Sequence, residues 1–210
     1  MQPAQPGRPR EGRATRDAIL ATARRLIHVH GYRGTSLDDV LKESGVGKGN
    51  FYYYFKSKEE LGHEILNELI QEFLEETLEP CFADPGASPL GQIRCFLARV
   101  LEIQRRTNCV GGCPLGNLAA ELADRHEGFR ARLHGVFSAW QERLRDALCR
   151  AQARGHLDAA CDPAAMAAFV VASLEGAILM AKLAKDIEVM ERCVAELGRY
   201  LSMYEMLPAS

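Results

Sequence analysis

The stretch Thr35–Phe55 reads TSLDDVLKESGVGKGNFYYYF, and its punctuation decides the fold around it. Thr35-Ser36 offers an N-cap, and Asp38 and Asp39 follow where first-turn amides need acceptors. Leu37, Val40 and Leu41 supply the buried stripe of a short helix. Gly45 ends that helix where the chain must turn with a positive φ. A second short helix is expected from about Gly47 to Tyr53. Two short helices about a glycine turn, beside a third, predict a helix-turn-helix. The second helix of such a unit presents small and polar groups to base edges. Lys48, Asn50, Tyr52 and Tyr53 meet that need, while Val46, Phe51 and Phe55 are apolar and face inward. Gly49 adds no side chain that would hold the helix off a groove. The run Phe51–Tyr54 is too aromatic to be wholly buried, and tyrosine hydroxyls at a helix end donate well to phosphate.

Outward from this segment the helical period continues in both directions. Upstream, Ile19, Ala23, Leu26 and Ile27 share one face of a first helix that begins at Thr15, and Gly31 stops it. Residues 1–14, rich in proline, glycine and arginine, are expected to be a flexible basic tail. Downstream, Ser57-Lys58-Glu59-Glu60 predicts a capping box opening a long fourth helix that lasts until Pro80. Asp84 to Pro89 is a linker. A fifth helix runs from about Ser88 to Arg106. Asn108–Gly116 is the least helical part of the body. A short sixth helix covers about Leu115–Asp124, and a seventh about His126–Arg154. Asp162-Pro163 is an N-cap and first-position pair opening an eighth helix. The ninth runs from about Ile187 to Tyr204. No strand-period run or internal repeat interrupts the series. The chain is expected to be all-α, with an N-terminal three-helix helix-turn-helix domain over 15–56 and a helical regulatory domain over 57–210.

Composition limits the function. Apolar residues make up 47% and charged residues 26% of the 210, which excludes a disordered or collagenous chain. The net charge of -2 is unevenly placed. Residues 1–58 hold eleven Lys+Arg against five Asp+Glu, a net +6; the rest hold fifteen against twenty-three, a net -8. A basic head on an acidic body points to an anionic partner for the head. The seven cysteines are odd in number and irregular in spacing, and the start of the chain has no apolar run of the signal-peptide kind, so no disulfide framework and a reducing cytoplasm are expected. Pro163–Ala181 is apolar, but Glu175 at its middle makes a membrane span costly. A soluble, packed helix is expected there instead.

The segment from Thr15 to about Leu66 resembles the DNA-binding domain of the tetracycline-repressor (TetR) family. The features that carry the resemblance are Gly31-Tyr32-Arg33-Gly34-Thr35-Ser36, the turn Ser44-Gly45-Val46, and Lys48-Gly49-Asn50-Phe51-Tyr52-Tyr53-Tyr54-Phe55-Lys56-Ser57-Lys58. Gly47 departs from the capping Ser or Ala common at its position, and Asn50 from the commoner Thr or Ser. The resemblance implies that Lys48, Gly49, Asn50 and Tyr52 meet bases or backbone in the major groove. It implies that Tyr53 and Tyr54 contact phosphates or pack at the groove wall, with core packing as the alternative for Tyr54, and that Thr35 and Lys58 clamp phosphate. It also implies a homodimer through the last two long helices, reading a near-palindromic double-stranded operator, and a cavity for a small-molecule effector among the fifth to eighth helices. Phe73, Phe96, Phe137, Trp140, Phe169 and Met180 are candidate walls, with ordinary core packing as the alternative.

Two features of the body need their own reading. Glu175 lies mid-helix among apolar residues and needs a partner, either a cationic or hydroxylated ligand or an arginine across the dimer. Cys109-Val110-Gly111-Gly112-Cys113-Pro114-Leu115-Gly116-Asn117-Leu118 resembles a stretch of a TetR subgroup that opens the sixth helix. Cys113 is then a small buried hydrophobe, a thiol whose pKa the helix N-terminus lowers, or half of a weak metal site. No catalytic constellation, metal cluster or phosphate loop is evident, so neither an enzyme nor a cofactor is expected. The expected function is a cytoplasmic DNA-binding transcription regulator, a repressor released by an effector. The rivals are a thiol sensor acting through Cys109 and Cys113, and an all-α enzyme or interaction protein.

Overall fold

The computed structural model describes residues 9–206, with side chains from Gly12 onward. Among the described residues there are nine helices and no strand, the all-α class expected. They are α1 (Pro9–Gly34), α2 (Leu37–Ser44), α3 (Lys48–Tyr54), α4 (Lys58–Phe73), α5 (Pro89–Arg106), α6 (Pro114–Leu122), α7 (Glu127–Ala153), α8 (Pro163–Ala184) and α9 (Ile187–Ser202). Helix α4 runs on through a π-helical stretch, Leu74–Leu78, into a last turn, Glu79–Phe82. The chain divides into two compact units, the first ending at Leu69 and the second starting at Ile70.

The first unit is built from local signals that hold. Helix α1 starts at Pro9, so part of the segment read as a tail is helical; residues 1–8 lie outside the described residues. Its helical dihedrals break at Gly31, with φ 78°. Ser36 caps α2 by accepting the Asp39 N–H at 3.0 Å, and the Asp39 carboxylate accepts the Ser36 N–H at 2.9 Å. The Ser36 hydroxyl, donating to the Asp39 carboxylate at 2.6 Å, and then the Ser36 N–H hold the Asp39 carboxyl below the usual carboxylate range. Gly45 turns the chain with φ 68°. At the start of α4, Ser57 accepts the Glu60 N–H at 3.1 Å, but the Glu60 carboxylate reaches back one residue further, to the Lys56 N–H at 2.7 Å. Ile19, Leu20, Ala23, Val40, Phe51, Phe55, Leu61, Ile65 and Leu66 are buried. The first turns of α4 belong with the head because Arg16 on α1 pairs with Glu64 at 2.5 Å and Leu61, Ile65 and Leu66 are interior. The division therefore falls beyond residue 56.

In the second unit, α7 packs between α5 and α8, and α9 packs on α5 and α8. Phe96, Leu97 and Val100 from α5, Trp140, Leu144 and Leu148 from α7, Val170, Leu174 and Ile178 from α8, and Met190 and Leu197 from α9 are parts of one buried core. Ser88 caps α5, and Asp162 caps α8 by accepting the amides of Ala164 and Ala165. The π stretch has a local cause. Pro80 has no N–H to offer the Glu76 carbonyl one turn back. The Glu79 N–H bonds instead to Leu74 O, five residues back. Arg99 on α5 supplies the Glu76 carbonyl with two donors, Nε at 2.9 Å and Nη2.

One expectation about the cysteines is corrected. Cys81, in the last turn of α4, and Cys95, on α5, are joined as a disulfide with their Cα atoms 5.6 Å apart. Sequence spacing gave no sign of it, because the pairing depends on two helices meeting across a linker.

Candidate functional site

Helix α3 has two faces of opposite character. Phe51 and Phe55 are 0% and 1% exposed, with ring centroids 5.6 Å apart, and they anchor the helix. Lys48, Gly49, Asn50, Tyr52 and Tyr53 are exposed. Tyr53 at 82% and Tyr52 at 48% are among the most exposed large side chains of the unit. An apolar core does not leave a tyrosine four-fifths in water for packing reasons. Gly47 is the N-cap and gives no side-chain cap, leaving the first amides of α3 pointing outward. Beyond its own helix backbone and chain neighbours, no atom lies within 4 Å of where a Cβ on Gly49 would be, so packing does not demand glycine there.

Three residues expected at the interface are placed differently. The Thr35 side chain is 1% exposed and donates to the Gly31 carbonyl at 2.9 Å; Ser36 takes the cap, and the Thr35 hydroxyl is spent indoors. Lys58 donates to the Tyr32 carbonyl at 2.7 Å and sits 4.4 Å from the Tyr32 ring centroid, tying the start of α4 to the end of α1. Tyr54 is half-buried; its ring packs edge-on against Tyr53 at 4.9 Å, and its hydroxyl lies beside Gly12 of α1. It takes the packing alternative.

In the body, four of the candidate wall residues converge. The Trp140 ring lies 5.2 Å from Phe73, 5.3 Å from Phe96 and 5.8 Å from Phe137. Phe169 and Met180 do not join them. Phe169 is 48% exposed and packs on Tyr200 at 5.2 Å, and Met180 is 56% exposed; helical spacing alone did not say which face of the apolar α8 is inner. Among the described residues of this unit three buried polar atoms stand unpaired: the Trp140 indole nitrogen, the Gln104 side-chain oxygen and Glu175 Oε1. Gln104 was not expected from sequence, since a glutamine on a helix reads as a solvated residue.

Glu175 turns toward the start of α6. A Cβ on Gly116 would lie 2.2 Å from Glu175 Oε2, so glycine is what lets the carboxyl approach. Its other oxygen is buried and unpaired. Its neighbour is Cys113, not an arginine of the same chain. Cys113 caps α6, its sulfur accepting the Gly116 N–H at 3.3 Å. Burial, then the Glu175 charge, pushes the Cys113 thiol far up. The helix N-terminus therefore does not produce a thiolate here, contrary to the sensor alternative. Nearby, Asn117 donates to the Gly111 carbonyl at 2.7 Å and accepts from Lys182 at 3.2 Å. Among the described residues no group of histidine, cysteine or carboxylate side chains forms a metal cluster.

Burial also raises the Glu175 pKa, partly offset by the Cys113 hydrogen bond. The folded chain then holds this proton more tightly than the unfolded chain. The associated stability is full below the ordinary glutamate pKa and is lost as pH rises through the folded value. Glu175→Gln is expected to remove that loss, leaving the variant at least as stable as the wild type at about pH 8. Thermal unfolding across pH checks it; a variant less stable at high pH would mean the carboxylate is paired and favourable.

Comparisons with known proteins agree with both units. The family model described as "Bacterial regulatory proteins, tetR family" matches residues 19–65, and "Tetracyclin repressor-like, C-terminal domain" matches 89–197. The transcriptional regulator AcuR of Cereibacter sphaeroides is 36% identical over 189 residues, covering 86% of each chain. The transcriptional repressor DhaR of a Mycobacterium species is 28% identical, covering 84% of this chain and 87% of that one. The crystal structure of a TetR transcriptional regulator from Chloroflexus aurantiacus superposes with a TM-score of 0.85 at 29% identity, over 94% of this chain and 99% of that one.

Proposed function

The chain belongs to the TetR family and is a DNA-binding transcriptional regulator with a ligand-binding C-terminal domain, and from that premise we propose a homodimeric cytoplasmic repressor that reads a near-palindromic operator and leaves it when a small molecule binds the body. The observation that carries the DNA reading is the outer face of α3. Lys48, Asn50, Tyr52 and Tyr53 project from a helix fixed underneath by Phe51 and Phe55. Asn50 suits a bidentate contact to adenine, and Lys48 suits guanine or a phosphate. Tyr53 suits phosphate, and Gly49 allows the helix to sit close. Thr35, Lys58 and Tyr54 support the reader from behind.

The dimer reading rests on α8. Ala165, Ala168, Phe169, Ala172, Gly176, Leu179, Met180 and Leu183 are all exposed at helical spacing. A helix apolar on every side is stable in water only when covered on every side, and a second copy of the same stripe covers it by two-fold symmetry. Two heads then read half-sites about 34–36 Å apart.

The effector reading rests on the ring cluster of Phe73, Phe96, Phe137 and Trp140, with the unpaired Trp140 and Gln104 atoms beside the core. A ligand with an apolar body and a polar edge suits them, and it has to part closely packed rings to enter. Such a ligand favours one arrangement of the dimer and DNA another, a coupling of about 1–3 kcal/mol. The thiol alternative through Cys109 and Cys113 has less support, because Cys109 is buried and the Cys113 thiol is held protonated.

Selection of bound sequences from random DNA with the purified protein tests the reading. A near-palindrome with regular half-site spacing is the expected product; no enrichment at low salt, before or after refolding, overturns it. On the selected site, Lys48→Ala is expected to cost about 1–3 kcal/mol. If Lys48 meets a phosphate, the slope of log affinity against log salt also falls by about 1 per head. Wild-type affinity and slope would remove Lys48 from the interface.

A further inference from the structure

The joined pair Cys81–Cys95 is unused by the function proposed above. A regulator of transcription works where the DNA is, and there thiol buffers keep accessible disulfides reduced. Cys95 is exposed and Cys81 is buried, so exchange has one accessible sulfur and one shielded partner held beside it. The pair sits at the weakest part of α4. The π stretch Leu74–Leu78 and Pro80 leave this end short of its own hydrogen bonds, and Arg99 on α5 supplies the missing donors. Single π-helical turns inside α-helices are frequent at functional sites, and this one lies directly beside Cys81. The same end of α4 carries rings of the proposed effector region. Phe73 lies before the π stretch, 6.4 Å from Phe96, and Phe82 lies after it, 6.3 Å from Phe96.

We propose that Cys81 and Cys95 form a reversible thiol–disulfide switch, closed by low-molecular-weight disulfides and opened by the corresponding thiols, that fixes the end of α4 on α5 and thereby shifts operator affinity. In the closing step the Cys95 thiolate attacks a small disulfide, forming a mixed disulfide and releasing one small thiolate. The Cys81 thiolate then attacks the Cys95 sulfur and releases the second. Two protein thiols and one small disulfide become one protein disulfide and two small thiols, and the reverse reaction restores them. The last step of this proposal, the change in operator affinity, rests on the regulator reading; the closure itself does not.

The test equilibrates the full chain across ratios of reduced to oxidised glutathione. Samples are quenched in acid, their thiols blocked, and the linked peptides identified by mass. A Cys81–Cys95 link that appears in oxidising ratios and disappears in reducing ones is the expected result. Closing it should slow backbone hydrogen exchange over residues 74–82 by about tenfold or more. It should also change affinity for the selected operator by about fivefold or more. Cys95→Ser, an exposed position that leaves the core intact, should bind operator and lose both responses. A link that never closes, that stays closed in reduced glutathione, or that closes with exchange and operator affinity unchanged overturns the switch. If DNA is retained in neither redox state, the regulator reading has failed, and the mass and exchange readouts decide on closure by themselves.

Discussion

Phe51→Ala is expected to abolish operator binding by unfolding the head while the body stays folded. Phe51 is 0% exposed and its ring touches those of Phe55 and Tyr52 at 5.6 and 5.3 Å. Truncating a buried phenylalanine costs about 3–5 kcal/mol in lost transfer energy and cavity. A unit of this size has a total margin of roughly the same amount. The loss falls on α3, a helix of seven residues with no side-chain cap at its start, too short to persist without its anchor. The chain has one tryptophan, Trp140, which belongs to the body. Its fluorescence should therefore report unchanged body unfolding while circular dichroism shows helix lost at low denaturant. A variant with wild-type operator affinity would mean that α3 is not held by this ring.

The second large effect is expected at Leu179→Asp. Leu179 is 54% exposed in the single chain, so the substitution should leave the fold of one protomer intact. In the proposed dimer it places an unpaired carboxylate against an apolar surface twice, once per copy. Each costs several kcal/mol, so the dimer dissociation constant should rise roughly a thousandfold or more. Sedimentation should show a dimer for the wild type and a monomer for the variant at the same concentration. Operator affinity should fall with it, because a monomer holds one half-site. A wild type that sediments as a monomer, or a variant that remains a dimer, would move the interface away from this face of α8.

These two substitutions mark different degrees of legibility. The burial of Phe51 and the exposure of Lys48, Asn50, Tyr52 and Tyr53 follow from a short amphipathic period and were readable before any coordinates. The division between units was less so. Leu61, Ile65 and Leu66 continue the period of a long helix, and nothing in a period says that its first turns pack with the head. The apolar stripes of α8 are readable as a group, but spacing alone does not tell that Phe169 and Met180 lie on its exposed side. An all-apolar helix has no polar face to orient it.

What the sequence determined by itself is what depends on neighbours along the chain: nine helices, their caps at Ser36, Ser57 and Asp162, the breaks at Gly31 and Gly45, and the two-faced helix α3. Each of these rests on hydrogen bonds or side-chain spacing within one or two turns, and such distances are fixed once the helix forms. The tertiary structure decided the rest. Lys58 belongs to Tyr32, 26 residues away; Cys81 belongs to Cys95 across a linker; Glu175 belongs to Gly116 and Cys113 on another helix. A charged, thiol or carboxyl side chain has the same local preferences whether it ends in water, beside an anion or against a neighbouring helix. Which of these it meets is set by how the helices pack, and with it whether the group reads DNA, holds the fold together or titrates.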